Sequence, residues 1–314
     1  MSKPHLAFFV GDPNGVGPEL AAKLLARPET RAAAEVTIFG DARLLPAGST
    51  FEAIPGLGDS ALTPGKVNPA AGRWVVDGLT RVARAAREKH VDGIVFAPLN
   101  KQAMKLGGLK YDDEQHLFAA LLDAKGYTVE FNVIDRLWTS RVTSHIPLKD
   151  VAGAISAKGV QDAVRIIHQA LRRGGTERPR VAVAGLNPHA GEGGTMGREE
   201  IEIIAPAVAE LKAQGIDARG PFPADTVFLA AKRGDFDAVV TMYHDQGQIA
   251  MKLMGFDRGV TVLGGLPVPI ATCAHGTAYD IVGKNCANPV PLYNAFGLAA
   301  RMAIHQEEQP VRVQ

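Results

Sequence analysis

The sequence predicts a three-layer α/β fold, and three observations carry that reading. Short apolar or β-branched runs alternate with longer segments of helical period along most of the chain. Gly and Pro clusters punctuate those segments, as at Gly174-Gly175. Hydrophobic residues make up 46% of the 314 residues, enough for a large core, but aromatics only 6%, so Ala, Val, Leu and Ile must fill it. A chain of this length is expected to form one compact unit or two closely packed domains. No internal repeat is evident.

The elements follow in order. Leu6 to Val10 reads as a buried strand. Pro18 to Leu25 opens a helix, with Pro18 in its first turn and Glu19 suited to the positive end of the helix dipole. Glu35 to Gly40 is a second strand, and Pro46 to Asn68, rich in Gly, Pro and Ser, reads as loop. Ala70 to Lys89 has helical spacing: Val75, Leu79, Val82 and Ala86 share one face, while Arg81, Arg84 and Glu88 can point to solvent. Gly93 to Ala97 is a strand ending at Pro98-Leu99-Asn100-Lys101. Helices are expected over His116 to Lys125, Val160 to Arg172, Glu199 to Gln214 and Thr226 to Arg233. Strand-like runs stand at Phe131 to Ile134, Val181 to Ala184 and Phe236 to Val240. Glu307 to Gln314 is expected to fray.

Charge and cysteine content narrow the function. The formal net charge is +1, from 34 basic and 33 acidic residues. Arg172-Arg173 is the longest basic block, apart from scattered helix-face charges between Arg81 and Lys89, so nucleic acid is a poor partner. Cys273 and Cys286 read as reduced packing residues. The apolar run Leu6 to Val10 is too short for a signal sequence or a membrane span, so a cytoplasmic protein with no membrane partner is expected.

Two polar features carry the chemistry. His275 to Pro289 is rich in Gly, Asn and small residues and reads as an ordered loop whose backbone can approach a ligand, with His275, Asp280, Lys284 and Asn285 as polar contacts. Three histidines also sit a little after strand-like runs: His145 in Thr143-Ser144-His145-Ile146-Pro147, His189 in Asn187-Pro188-His189-Ala190-Gly191-Glu192, and His244 in Met242-Tyr243-His244-Asp245-Gln246-Gly247. In open α/β sheets, ligands collect at the C-terminal ends of strands. Neutral imidazoles suit Zn²⁺ or another transition metal, and three protein ligands leave a position open for substrate. Gly11-Asp12-Pro13-Asn14-Gly15-Val16-Gly17-Pro18-Glu19 also follows a strand and opens a helix, but it lacks the order of the nucleotide-binding Gly loops and reads as a tight turn.

Taken in sequence, these motifs, with Pro223-Ala224-Asp225-Thr226 and His275-Gly276-Thr277-Ala278, resemble the 4-hydroxythreonine-4-phosphate dehydrogenase family and its paralogues. The likeness runs from about residue 5 to about residue 303. The loop at His275 also resembles the adenine-binding loop of the isocitrate and isopropylmalate dehydrogenases. The resemblance implies their fold, which is not a Rossmann fold: two closely packed α/β domains around a cleft. One comprises 1–130 with 270–314 and lies on the dinucleotide side; the other, 131–269, carries metal, substrate and dimerisation. It implies a homodimer with a shared active site and oxidation of a secondary alcohol of a small hydroxy acid by NAD or NADP, to a β-keto acid that can lose CO₂. A divalent metal (Zn²⁺ first, Mg²⁺ or Co²⁺ as alternatives) would be held by His145, His189 and His244, drawn from both subunits. Asp225 and Asp245 match the family's metal-proximal aspartates. Gly276, Thr277 and Asp12 join the cofactor set, because the Gly11–Glu19 segment lies beside the dinucleotide in this superfamily. Asp245 and Lys101 are the candidate bases.

The departures concern phosphate. Asp113-Glu114-Gln115-His116 stands where the family has Gly-His-Thr-Glu, and Thr261 and Ile270 stand at its Asn and Arg positions; Lys252 is retained. A carboxylate repels a phosphate dianion, and Ile offers no bidentate fork. The expectation is a paralogue with an altered phosphate site, with Glu114, Gln115, Lys252 and Thr261 near the substrate. Alternatives are the authentic vitamin B6 activity, oxidation of a cyclic dihydrodiol carboxylate in aromatic degradation, a catalytically dead metal-binding paralogue and, in a different class, a zinc hydrolase.

Overall fold

The computed structural model describes residues 3–305, so the expected fraying at Glu307–Gln314 lies outside them. The described chain has the expected α/β class. Its strands are β1 (His5–Phe9), β2 (Glu35–Gly40), β3 (Glu52–Ala53), β4 (Gly93–Phe96), β5 (Val129–Ile134), β6 (Leu137–Arg141), β7 (Val181–Ala184), β8 (Ala218–Phe222), β9 (Ala238–Thr241), β10 (Val260–Gly264) and β11 (Ile270–Cys273). The chain forms two compact units, residues 1–128 with 257–314 and residues 129–256.

In the first unit the strands run β3-β2-β1-β4-β11-β10, parallel except for the antiparallel β10–β11 pair. β1 and β4 are apolar along nearly their whole length because both of their faces are covered, which removes the usual alternation. The helix Pro69–Arg87 starts where the Asn68 side chain accepts from the amides of Ala70 and Ala71, and Pro69 needs no amide partner there. It buries Trp74, Val75, Leu79, Val82 and Ala86. The Trp74 indole donates to the Ile54 carbonyl and its ring lies 5.6 Å from Phe9. Each such large side chain contributes about 1.5–3 kcal/mol on burial.

In the second unit the strands run β5-β6-β9-β7-β8; β5 and β6 are antiparallel, and β6, β9, β7 and β8 are parallel neighbours. The helix Ala157–Arg173 is capped by Ser156, whose hydroxyl accepts from the Gly159 amide, and it buries Val160, Val164, Ile167 and Leu171. A separate cluster of Ile134, Leu137, Val227, Phe228, Phe236 and Met251 fills the unit's core.

Four local expectations shift. The helix expected over His116–Lys125 spans Glu114–Leu121, because the Asp113 carboxylate caps it by accepting from the His116 amide. The expected loop Pro46–Asn68 contains β3 and buries Ile54, Leu57 and Ala61. The single helix expected over Glu199–Gln214 is a π-helical turn, Glu200–Ile204, followed by the α-helix Ala205–Ala213. Pro206 has no amide to give the carbonyl four residues back, and the wider turn accommodates it, with the Ala205 amide reaching the Glu200 carbonyl. Finally, the chain returns to the first unit at Asp257, not at the expected 270, so that β10 lies in the same unit as β11, its antiparallel partner.

Candidate functional site

In the second unit, β6, β9 and β7 are parallel neighbours, with Ser140 opposite Val240 and Val183 opposite Val240. Their C-terminal ends therefore share one edge, and the segments leaving that edge carry His145, His189 and, at the start of the helix His244–Gly255, His244. The His145 and His244 rings lie 5.4 Å apart, centroid to centroid. His244 Nδ1 is 2.6 Å from Asp245 Oδ1, which orients the ring and leaves Nε2 for a ligand. The Thr143 hydroxyl donates to the Met242 carbonyl at 2.8 Å, tying the two loops together. Gln246 accepts from the Met242 amide and donates to the Gly185 carbonyl, joining the His244 loop to the exit of β7. Arg141 is buried and donates to the Ser144 hydroxyl beside His145. The donor set suits a divalent ion, with two imidazoles adjacent and a carboxylate holding one of them. Among the described residues of one chain, no three His, Cys, Asp or Glu converge as a metal group.

The His189 loop has an unusual backbone. His189, Ala190, Gly191, Glu192, Gly193 and Gly194 all have positive φ, between 42° and 97°. Three of the six carry a Cβ, at a cost of about 1–2 kcal/mol each. The loop rests on Glu200, whose Oε1 accepts from the Leu186 and Asn187 amides at 2.7 Å each and whose Oε2 accepts from Asn187 Nδ2 at 3.0 Å. Burial works against the Glu200 charge, but the hydrogen bonds from Asn187 and Leu186 prevail and hold its carboxyl below the usual range. Asp225 lies exposed in the first turn of the helix Ala224–Arg233, and Asp245 and Lys252 are exposed on the helix His244–Gly255.

In the first unit, the loop from His275 to Asn285 interlocks with the Gly11–Gly17 turn. The Val16 amide donates to the Thr277 carbonyl, and a Cβ on Gly15 would lie 2.8 Å from Thr277. Lys23 donates to the Ala287 carbonyl, and Glu19 accepts from the Ala287 amide. His275 is half-buried, Thr277 buried, and Gly276, Asp280, Lys284 and Asn285 exposed. Asp12 is buried and accepts from the Tyr279 hydroxyl at 2.5 Å and from the Asn14 amide at 2.9 Å. Burial pushes the Asp12 carboxyl up, and those two hydrogen bonds only partly offset it. Asp12 therefore braces the loop from beneath. Cys273 is buried and its thiol is pushed up to about 12, as suits a reduced packing residue.

Lys101 Nζ lies 3.8 Å from Glu114 Oε2, and Gln115 is buried beside it in the chain. Thr261 is half-buried on β10, opposite Thr272. Ile270 is fully buried on β11, opposite Leu263 and Ile94. Its aliphatic side chain is part of the buried core of that unit. Glu200 and Tyr279 were not expected from the sequence. Tyr279 lies inside the polar loop, but nothing local marks it as the partner of a residue 267 positions away.

Comparison with known proteins agrees with the α/β fold. Residues 15–299 match the family described as pyridoxal phosphate biosynthetic protein PdxA. A protein of Pseudomonas aeruginosa named putative 4-hydroxythreonine-4-phosphate dehydrogenase 2 is 47% identical, over 97% of this chain and 98% of its own. The crystal structure of 4-hydroxythreonine-4-phosphate dehydrogenase from Klebsiella pneumoniae matches with a TM-score of 0.81 and 35% identity, over 96% of this chain and all of that one. A terephthalate 1,2-cis-dihydrodiol dehydrogenase from Burkholderia xenovorans LB400 matches at 0.69 and 30%, over 95% and 98%. The chain therefore belongs to the PdxA family and is an NAD(P)-dependent oxidoreductase acting on CH–OH groups.

Proposed function

We propose that this oxidoreductase oxidises the secondary alcohol of a small hydroxy acid at a metal site built from His145, His189 and His244, in a homodimer. The observation that carries the reading is the His145–His244 pair, 5.4 Å apart at adjacent strand ends, with Asp245 fixing one ring. A bound divalent ion, Zn²⁺ in the first instance, would acidify the substrate hydroxyl and assist departure of a β-carboxylate as CO₂. Asp245 orients His244, and Asp225 and Asp245 supply exposed carboxylates beside that edge to take the hydroxyl proton. The backbone and polar groups of His275 to Asn285 would hold the dinucleotide, which when bound would supply the acceptor for the hydride of the carbinol carbon. Lys101, paired with Glu114, serves as a substrate anchor.

A second copy supplies the missing part of the donor set. Exposed apolar side chains support that assembly: Leu148 is 70% and Leu253 84% exposed, with Ile146, Ile249 and Phe256 also open. Ile249, Leu253 and Phe256 follow one another at helical spacing on the helix that carries His244 and just beyond it. The composition suits a cytoplasmic protein, and no helix of the described residues is long and apolar enough to cross a membrane.

Two readings of the substrate's far end follow. The Lys101–Glu114 pair favours an unphosphorylated hydroxy acid, because a carboxylate already occupies the cation a phosphate would use. The names of the relatives favour a phosphorylated hydroxy acid. Family membership sets the zinc hydrolase reading aside, and the presence of all three histidines and both aspartates speaks against a dead paralogue. The test is steady-state kinetics on matched phosphorylated and unphosphorylated hydroxy acids, read by the absorbance of the reduced cofactor. Higher kcat/KM for the phosphorylated member of each pair selects the second reading, and no turnover of any hydroxy acid with either dinucleotide overturns both.

A further inference from the structure

Six successive residues with positive φ do not hold themselves in place. His189 to Gly194 has three glycines, and His189, Ala190 and Glu192 each carry the Cβ that disfavours the left-handed region. Something outside the loop must select this shape. Only 2% of Glu200 is exposed, and its carboxylate lies directly beneath the loop. A Cβ on Gly191 would sit 2.7 Å from Glu200 Oε2, and one on Gly185 3.1 Å from Oε1. The carboxylate thus fills the cradle between the exit of β7 and the left-handed turn. It receives both backbone amides at the start of the loop, Leu186 and Asn187, and the Asn187 side-chain amide as well. Glu199 takes the same Asn187 nitrogen at 2.7 Å. Glu200 is itself aimed by the π-helical turn that begins at it.

We infer that Glu200 is a positioning residue for the metal site: its buried carboxylate is the template on which the His189 loop adopts its left-handed turn and presents the imidazole. The inference rests on the reading of His189 as a metal ligand. Glu200 is not assigned as a ligand. It acts through two backbone amides and one side-chain amide, as outer partners of a ligand do.

The test is Co²⁺ binding to metal-free protein, followed by the d–d absorption of the bound ion and by competition with a chelator. The Glu200→Gln variant keeps the shape but places an NH₂ where an acceptor stood. It should bind Co²⁺ about 10- to 100-fold more weakly, with unchanged NAD affinity measured by fluorescence. Asn187→Asp, which turns a donor on Glu200 into an acceptor, should act in the same direction and serves if Glu200→Gln does not fold. Ile204→Val, a truncation in the same buried turn, should lower thermal stability without moving Co²⁺ affinity, so loss of stability alone does not mimic the effect. Co²⁺ affinity within twofold of the unaltered protein in both loop variants overturns the inference. His189→Ala separates the two levels. If that variant loses Co²⁺ while Glu200→Gln retains it, only the role of Glu200 fails; if His189→Ala retains Co²⁺ at full affinity, the proposed metal site fails.

Discussion

The loop after β7 and the loop after β11 solve one problem in opposite electrostatic ways. Both carry non-glycine residues with positive φ, His189, Ala190 and Glu192 in the first, Ala278 and Asn285 in the second. Both rest on a buried carboxylate. Glu200 receives three N–H groups and is held below the usual carboxyl range. Asp12 receives one hydroxyl and one amide, too few to offset burial, and is pushed above it. The difference teaches that the balance of burial against hydrogen-bond donors sets the direction in which a buried carboxyl shifts, and so the pH range over which it holds. A low folded pKa gives Glu200 a stabilising contribution that is present above its unfolded pKa, roughly 4.3, and is lost as pH falls through the folded value. A raised folded pKa reverses the sign for Asp12: its contribution is full below the unfolded value, roughly 3.9, and is lost as pH rises through the folded one.

The largest test of the comparison asks whether the first loop is a metal loop at all. Replacing His145, His189 or His244 by Ala should each abolish stoichiometric metal and lower kcat by about a thousandfold or more, as expected when an electrostatic element worth about 4 kcal/mol is removed. Because His145 and His244 stand together within one chain, their Ala variants should not complement one another after subunit exchange. Either of them mixed with His189→Ala should recover partial activity. Complementation between His145→Ala and His244→Ala would refute that division of the site.

Backbone tightness separates the loops next. Gly191→Ala meets both a φ of +80° and the Glu200 carboxylate at 2.7 Å, whereas a Cβ on Gly276 meets nothing within 4 Å. The first change should cost about 1–3 kcal/mol and the second under about 0.5 kcal/mol. Chemical denaturation of both variants measures this, and equal losses would dissolve the contrast.

Tyr279→Phe then probes the weaker brace. Leaving buried Asp12 without its hydroxyl donor should cost about 1–3 kcal/mol and weaken NAD binding, with metal affinity unchanged. Asp12→Asn sharpens the sign of the pH effect. Its stability relative to the unaltered protein should improve as pH rises from about 4 to about 7, because the parent alone must ionise a buried group. A flat difference across that range would contradict the raised carboxyl. The smallest effect is expected at the substrate end. Glu114→Gln removes the negative partner of Lys101 and should raise kcat/KM for a phosphorylated substrate about tenfold relative to its unphosphorylated analogue. No change in that ratio would remove Glu114 from the discrimination.

Much of this was legible in the chain itself, for a local reason. Strand runs, helix spacing, caps such as Asn68 and Ser156, and Gly-rich polar loops are set within a few residues, so the α/β class and the loops bearing His145, His189, His244 and His275 could be read directly. Family motifs extended that reading to the oxidoreductase class. What only the tertiary structure decided depends on pairing between distant segments, which carries no local signal. That β6, β9 and β7 are neighbours, and so bring His145 against His244, is a choice of strand order. That Ile270 lies in the core follows from β11 lying between β4 and β10. That Asp12 meets Tyr279, and Glu200 meets the exit of β7, depends on which backbone amides and hydroxyls are left unpaired once the sheets have formed.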